Sequence, residues 1–399
     1  GMIAVDYQNL SGTPGIQFEA KVGSYDPWGT WLRNTLDPTK KWADLGTIWL
    51  SRTNLVGEML TQFDGQLLSS GWTAWSPNNL TVAGRTVRLA NNFQLTVTNN
   101  LTIVSNGLLA LQGYPVFSCS NNITLDNGRF ALSICTQMVC GGNLALTNGG
   151  RLYLVSGPTN STTTNYGGLV SVGGDVLVTS NGWIYPYSDP TNGGSLVFRA
   201  ANFRIIGTNC GVYADIGGYW GNFNSGGNGP GKGPSNRQGA GHGGTGYNGG
   251  AIYDVTNAPI VPGSSGGAQA GSWGSPGGGA VRIEATGGVT VNGSIRANAS
   301  SQIAYTGAGS GGAIFIACQT FDGGSLGQLS AYGGSEYNAG GGGGGGRIAV
   351  AIGFSASDID KLINDQVVSS LSICPQRPDG YNGSTNVTAG CDPTGNGGV

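Results

Sequence analysis

Tyrosine occurs at one position of a pattern that the chain repeats, directly after an apolar residue that is expected to point inward. Tyr153, Tyr185 and Tyr213 take this position in three successive repeats, and Arg296 takes it in a later one. If the repeats are strands on adjacent coils, about 4.8 Å apart, the three rings form an exposed row, called here the tyrosine column. Aromatic rings fit the apolar faces of sugars, and flanking charges bond their hydroxyls or carboxylates. Two interpretations are open: the column binds polysaccharide, or its rings only stabilise the sheet.

Other side chains near the column are candidates for binding and catalysis. The further residues expected to contact a sugar chain are Trp183, Tyr187, Trp220 and Arg296. A glycoside hydrolase uses two carboxylates on one face, one of them kept protonated, and the best such pair is Asp215 with Asp189, followed by Asp254.

A polysaccharide lyase would instead use a base and a positive charge. The groups available for those roles are Tyr213, Arg296, Lys232 and Arg237. Because a single aspartate is more often a turn residue than a catalytic one, two functions are carried forward. The first is a glycoside hydrolase or polysaccharide lyase, and the alternative is a non-catalytic adhesin or structural glycan-binding protein.

Short strands in a fixed order would position these residues. Each repeat reads apolar-x-apolar, a turn that usually contains Asn-Gly, and apolar-x-apolar again. The first apolar residues of successive repeats are Leu101, Ile123, Leu144, Val176, Phe203 and Val289. The spacings between them are 22, 21, 32, 27 and 86 residues. A third strand follows Gly-Gly, as in GGAVRIEA (278–285) and GGAIFIA (311–317).

One such coil cannot bury its apolar face alone, so coils must stack on one another. The predicted fold is therefore an all-β, right-handed parallel β-helix. A β-sandwich is the alternative, because antiparallel hairpins also use Asn-Gly turns.

The insertions all follow the strand that carries the tyrosine column. They comprise residues 156–168, 188–194 and 216–277, and we expect them to form one wall beside the column, since long loops on a rigid scaffold often carry function. The longest is rich in glycine and either packs as backbone-paired strands or is mobile. Its His242 is more typical of a loop residue than of a catalytic base.

The segment GGGAVRIEATGGVTVNGSIRANAS (277–300), with the glycine-rich runs around it, resembles glycine-rich repeat proteins of bacterial cell surfaces. These are predicted adhesin-like or pectin-lyase-like β-helices, and the resemblance covers roughly residues 80–351. It implies the β-helix fold and an extracellular or cell-surface location. It transfers no catalytic residue, because the shared residues belong to turns and core.

The chain divides into three parts by pattern. Residues 1–75 are expected to form an N-terminal cap or irregular first coils, 76–354 the β-helix, and 355–399 a short helix and a tail. The helix should begin at Ser355 or Ser357, with acidic residues in its first turn, and could cap the end of the stack.

Composition excludes several classes of protein. Glycine accounts for 76 of 399 residues, but with 16 prolines and no strict triplet the chain is not collagen. A net charge of −2 and few lysines argue against a nucleic-acid partner, and no apolar run is long enough for a membrane span. No cofactor is expected, with a calcium ion left open.

The seven cysteines contain no CxxC pair, and the chain has one histidine, which argues against a structural zinc site. A disulfide between Cys374 and Cys391 is the first candidate pairing, and Cys135 with Cys140 is the second.

Overall fold

The computed structural model describes residues 1–9, 12, 15–21, 44–159, 166–234, 237–269, 271–300, 306–335, 340–364, 366 and 383–387. Over these ranges the chain is a right-handed parallel β-helix whose strands form three sheets of 13, 9 and 9 strands. Every pairing between the described strands is parallel. The predicted fold is confirmed, and the β-sandwich is excluded because it would need antiparallel pairs.

Each coil contributes one strand to each sheet in the order sheet 2, sheet 1, sheet 3. Sheet 1 contains β1 (Met2–Val5), β2 (Phe18–Glu19), β3 (Thr47–Leu50), β5 (Phe63–Ser69), β8 (Thr86–Arg88), β11 (Leu108–Leu111), β14 (Arg129–Cys135), β17 (Arg151–Ser156), β20 (Trp183–Tyr187), β23 (Gly211–Tyr213), β26 (Ser294–Arg296), β29 (Gln328–Ser330) and β31 (Ser384–Asn386). Sheet 2 contains β4 (Met59–Leu60), β7 (Leu80–Ala83), β10 (Leu101–Val104), β13 (Ile123–Asp126), β16 (Leu144–Thr147), β19 (Val176–Thr179), β22 (Phe203–Ile206), β25 (Gly288–Val291) and β28 (Thr320–Asp322). Sheet 3 contains β6 (Ala74–Trp75), β9 (Gln94–Val97), β12 (Val116–Cys119), β15 (Gln137–Cys140), β18 (Gly168–Val172), β21 (Leu196–Ala200), β24 (Ala280–Ala285), β27 (Ala313–Cys318) and β30 (Arg347–Ile352).

The core is a tube of apolar columns, one side chain per coil. Leu144, Val176 and Phe203 are paired in register on consecutive strands and are fully buried. Alternation along each strand puts one set of side chains inside and the other outside. The predicted stacking of equivalent residues is therefore confirmed.

Asparagine forms two corners in several consecutive coils. At the corner between sheets 2 and 1, Asn106, Asn127, Asn148 and Asn181 have φ values of 50–66°, the left-handed conformation that asparagine tolerates best after glycine. The corner before sheet 2 holds a second column that was not predicted. There Asn122 Oδ1 accepts from the amide of Asn143 at 2.8 Å, and the motif repeats on neighbouring coils.

The glycine-rich insertion packs against the later coils through its backbone. The amide of Gly344 donates to Ala240 at 2.8 Å, and Gly344 O accepts from Gly311 at 3.0 Å, so one segment is bonded on both sides. A Cβ on Gly344 would lie 2.1 Å from Gly244 O. Of the two expectations for this insertion, packing by backbone pairing is the one observed for its described residues.

The chain ends depart from the regular coil. The first 75 residues supply β1, β3 and β5, which extend sheet 1. Helix α1 (Ala356–Ile363) begins after Ser355, whose Oγ accepts from the amide of Asp358 at 3.2 Å. The sequence suggested that this helix could cap the end of the stack, but it does not. Ile359 and neighbouring Phe354 instead pack on the outer face of sheet 3.

The cysteine pairing expected second is wrong. Cys135 ends β14 in sheet 1 and Cys140 ends β15 in sheet 3, and both are buried free thiols. Cys374 and Cys391 lie outside the described residues. The single helix among the described residues has eight residues, too few and too polar to span a membrane.

Candidate functional site

The tyrosine column exists and lies on the outer face of sheet 1. Tyr153 and Tyr185 are register partners on β17 and β20, with ring centroids 4.6 Å apart and an interplanar angle of 5°. Tyr213 on β23 continues the column, 5.5 Å from Tyr185 with the rings tilted by 48°. The alignment deduced from the sequence is therefore correct.

The column is less accessible than expected. Tyr153 is only 6 % exposed, and Tyr185 and Tyr213 are half-buried. Because the rings stack from coil to coil, their faces turn toward one another and their edges point away from the sheet. The guanidinium of Arg296 lies over the ring of Tyr213 at 4.8 Å, which covers another face. The expectation that tyrosine faces are free for sugar rings is corrected accordingly.

The accessible part of this surface is a group we call the aromatic strip: Trp183, Tyr185, Tyr213 and Arg296. Trp183 is half-buried and meets Tyr213 edge-on at 6.1 Å and 86°. The side chain of Arg296 is 32 % exposed. The strip crosses β20, β23 and β26, a span of about 10 Å at ordinary strand spacing, and exposed Arg151 and Gln328 flank it in the row that contains Trp183.

Asp215 is joined to the aromatic strip as the partner of Arg296. Its side chain accepts from Arg296 Nη2 and, at 2.9 Å, from the amide of Asn298. Asp215 is 5 % exposed. Burial raises the pKa of its carboxyl above the ordinary value, although Asn298 and Arg296 act to lower it. The carboxyl therefore binds a proton more readily than an exposed aspartate does.

The tyrosine hydroxyls are also perturbed by their surroundings. Burial raises the pKa of Tyr185 to about 12, with a further contribution from neighbouring Tyr153. Burial and the charge of Asp215 raise the pKa of Tyr213. At neutral pH these phenols are consequently neutral hydrogen-bonding groups and poor bases.

The two other candidate carboxylates have separate structural partners. Asp189 Oδ1 accepts from the amides of Thr191 at 3.0 Å and Asn192 at 2.6 Å, so it closes the turn after β20. Asp254 Oδ2 accepts from the amide of Val261 at 3.0 Å and faces His242. In the described part of the chain, no hydrogen bond or shared partner connects either residue to Asp215.

His242 is fully buried and occupied on both sides of its ring. Nδ1 lies 2.7 Å from Gly311 O, and Nε2 lies 3.2 Å from Asp254 Oδ2. The ring stacks on Tyr253, with centroids 4.5 Å apart. This histidine joins the insertion to the coils and offers no ring nitrogen to a substrate.

Two of the three insertions expected to form a wall are in contact in the part of the chain that the structure describes. The amide of Trp220 donates to Pro190 O at 2.9 Å, which joins two of the insertions. Trp220 Nε1 is buried without a hydrogen-bond partner. Tyr187 ends β20, is half-buried like Tyr185, and packs with it against the apolar cluster that contains Leu108 and Tyr153. Burial raises the pKa of its phenol. Tyr187 therefore borders the aromatic strip beside Tyr185, whereas Trp220 belongs to the insertion.

Charged residues on sheet 3 form a cluster outside the tyrosine column. Arg282 pairs with Glu284 and is only 2 % exposed, although alternation along β24 points its side chain outward. Glu284 also accepts from Arg199 Nε at 2.7 Å. Arg199 and Glu284 border a groove of about 670 Å³ beneath α1. No sequence signal predicted the groove, because α1 is far along the chain from β18, β21 and β24, which supply much of its lining.

The assignment rests on the geometry of the described residues. The described residues contain no group of three or more His, Cys, Asp or Glu side chains arranged to hold a metal ion. Comparison of the chain with protein-family models, with curated proteins and with solved structures found no match.

Proposed function

We propose that the protein is an extracellular or cell-surface β-helix that binds a glycan chain across the aromatic strip without cleaving it. The observation that carries the proposal is the row of half-buried Trp183, Tyr185 and Tyr213 beside a partly exposed Arg296. The row crosses successive coils, which suits an extended ligand better than a compact one.

The chemistry of the strip determines how a sugar would be held. Trp183, at the margin of the strip, supplies the apolar surface on which a pyranose ring packs. The phenol edges of Tyr185 and Tyr213 bond sugar hydroxyls, and Arg296 bonds hydroxyls or a carboxylate. Because Tyr185 rests on buried Tyr153, the binding groups are held rigid, which reduces the entropy cost of binding.

Polysaccharide cleavage is the second candidate, and the specific observation in its favour is the raised pKa of Asp215. A protonated carboxyl beside the strip could serve as a general acid. A hydrolase also needs a second carboxylate about 5–10 Å away, and Asp189 and Asp254 are committed to backbone amides and to His242. Binding without cleavage is therefore the better-supported function.

Binding to a panel of neutral and acidic polysaccharides, followed by affinity electrophoresis or calorimetry, tests the proposal. Trp183→Ala and Tyr185→Ala should each weaken binding about tenfold or more, since buried aromatic contacts at binding sites are worth about 1–3 kcal/mol. Tyr114→Ala is the matched control, because Tyr114 is 60 % exposed and lies outside the strip. Equal binding by all three variants would refute the proposal.

The same incubations separate the two candidates. Reducing ends and absorbance at 235 nm, which reports unsaturated uronates, should stay at background for every polysaccharide. Product that forms with the wild type and disappears in Asp215→Asn would establish cleavage in place of simple binding.

A further inference from the structure

One pair of cysteines is stacked in register inside the coils. Cys119 ends β12 and Cys140 ends β15, and the two residues are direct partners between these parallel strands. They are 0 % and 1 % exposed. The column continues with Val97 on one side and Val172 on the other. The two thiols therefore occupy neighbouring places in one interior row.

Their separation is compatible with a covalent bond. Adjacent parallel strands place partner Cα atoms about 4.8 Å apart, within the range of about 4.4–6.8 Å seen across disulfides. The Cβ atoms must approach slightly, since disulfides prefer about 3.8 Å there. Each thiol now donates to a backbone oxygen, that of Asn99 at 3.2 Å and that of Asn121 at 3.3 Å.

The other described cysteines have no such neighbour. Cys135 is paired with Ser156, and Cys318 is paired with Ile352. Cys210 lies in a corner, where its thiol donates to Gly207 O. The pair in register is thus the one site among the described cysteines where a bond between coils is geometrically available.

We propose that Cys119 and Cys140 form a disulfide that joins two adjacent coils when the chain folds in the presence of a small-molecule disulfide. Two thiols and one oxidised small-molecule disulfide give the protein disulfide and two small-molecule thiols. The reaction passes through a mixed disulfide, and the attacking group at each step is a thiolate. In a reducing compartment both residues remain thiols.

Burial decides when the bond forms. The pKa of Cys140 is raised by burial to about 12, and the pKa of Cys119 is raised for the same reason. Thiolate is the reactive form, so the folded protein exchanges slowly. The bond forms while the coils are still open, and afterwards it resists reduction.

Peptide mapping of the wild type tests the proposal. The denatured, reduced protein is refolded with oxidised and reduced glutathione, denatured again, treated with iodoacetamide and cleaved. Trypsin together with cyanogen bromide places Cys119, Cys135 and Cys140 in separate fragments, 89–129, 130–138 and 139–151. We expect fragments 89–129 and 139–151 to be linked, with a mass two hydrogens below their sum.

Variants connect the bond to its position. Cys119→Ser should leave Cys140 alkylated and abolish any difference in melting temperature between the oxidised and reduced protein. Cys210→Ser, the matched control with a buried thiol outside the pair, should retain both the link and the difference. Alkylation of both Cys119 and Cys140 in the refolded wild type, or a link from either to another cysteine, overturns the proposal.

Discussion

The contact between the glycine-rich insertion and the last coils gives a prediction that can be worked through from distances. In Gly344→Ala the new methyl group would lie 2.1 Å from Gly244 O and 2.9 Å from Thr245 O, whereas real Cβ atoms essentially never come closer than 3.0 Å. Both obstacles are backbone atoms, so no side chain can rotate away, and the segments must move apart by about 1 Å. Overpacking typically costs about 1–3 kcal/mol, and we expect about 3 kcal/mol here.

Hydrogen exchange followed by mass spectrometry measures this cost where it arises. A loss of about 3 kcal/mol speeds exchange about a hundredfold for amides that open together. The affected amides should include that of Gly344, which donates to Ala240 across the contact, and that of Gly311, which donates to Gly344. Gly57→Ala is the control, because a Cβ there meets nothing within 4 Å, and its exchange should not increase. Unchanged protection in Gly344→Ala would refute the packing of the insertion.

Two further predictions concern the coils. Leu146→Ala should lower the free energy of unfolding, measured in urea, by about 2–5 kcal/mol, because Leu146 is fully buried. Leu177→Ala should lower it clearly less, because Leu177 is at an outward and half-buried position of the next strand. Equal losses would contradict the assignment of inward and outward positions. Burial raises the pKa of Asp215 above 3.8, so its contribution to stability is complete below that pH and is lost as the pH rises through the folded-state value. Wild type should therefore lose stability relative to Asp215→Asn as the pH increases above about 3.8, and a relative gain in urea titrations over that range would contradict the shift.

The coil architecture was predictable because its causes are local. The alternation of apolar and polar residues around Leu144 and Val176 follows from strand geometry, and Asn127-Gly128 predicts a corner in the left-handed conformation. Repetition then fixes which residues are stacked, including Tyr153 on Tyr185. Each step needs information from only a few neighbouring residues.

What covers the outside of the tube was not predictable in the same way. Tyr153 and Arg282 both point outward by alternation, yet both are buried. Arg282 lies in a face on which Phe354 and Ile359 pack, and these are distant along the chain. The partners of Asp189 and Asp254 were likewise hidden, because a carboxylate that closes a turn and one that acts on a substrate look alike in sequence.

The glycine-rich layer has a consequence for how this protein can vary. Where backbone meets backbone, as at Gly344 and Gly244, the contact itself contains no side chains that must fit one another. Residues at the margin of the insertion, such as the half-exposed Phe223 beside Trp273, can then be substituted without disturbing side-chain packing at that contact. New recognition surfaces can therefore arise by substitution of these marginal residues while the backbone contact stays the same.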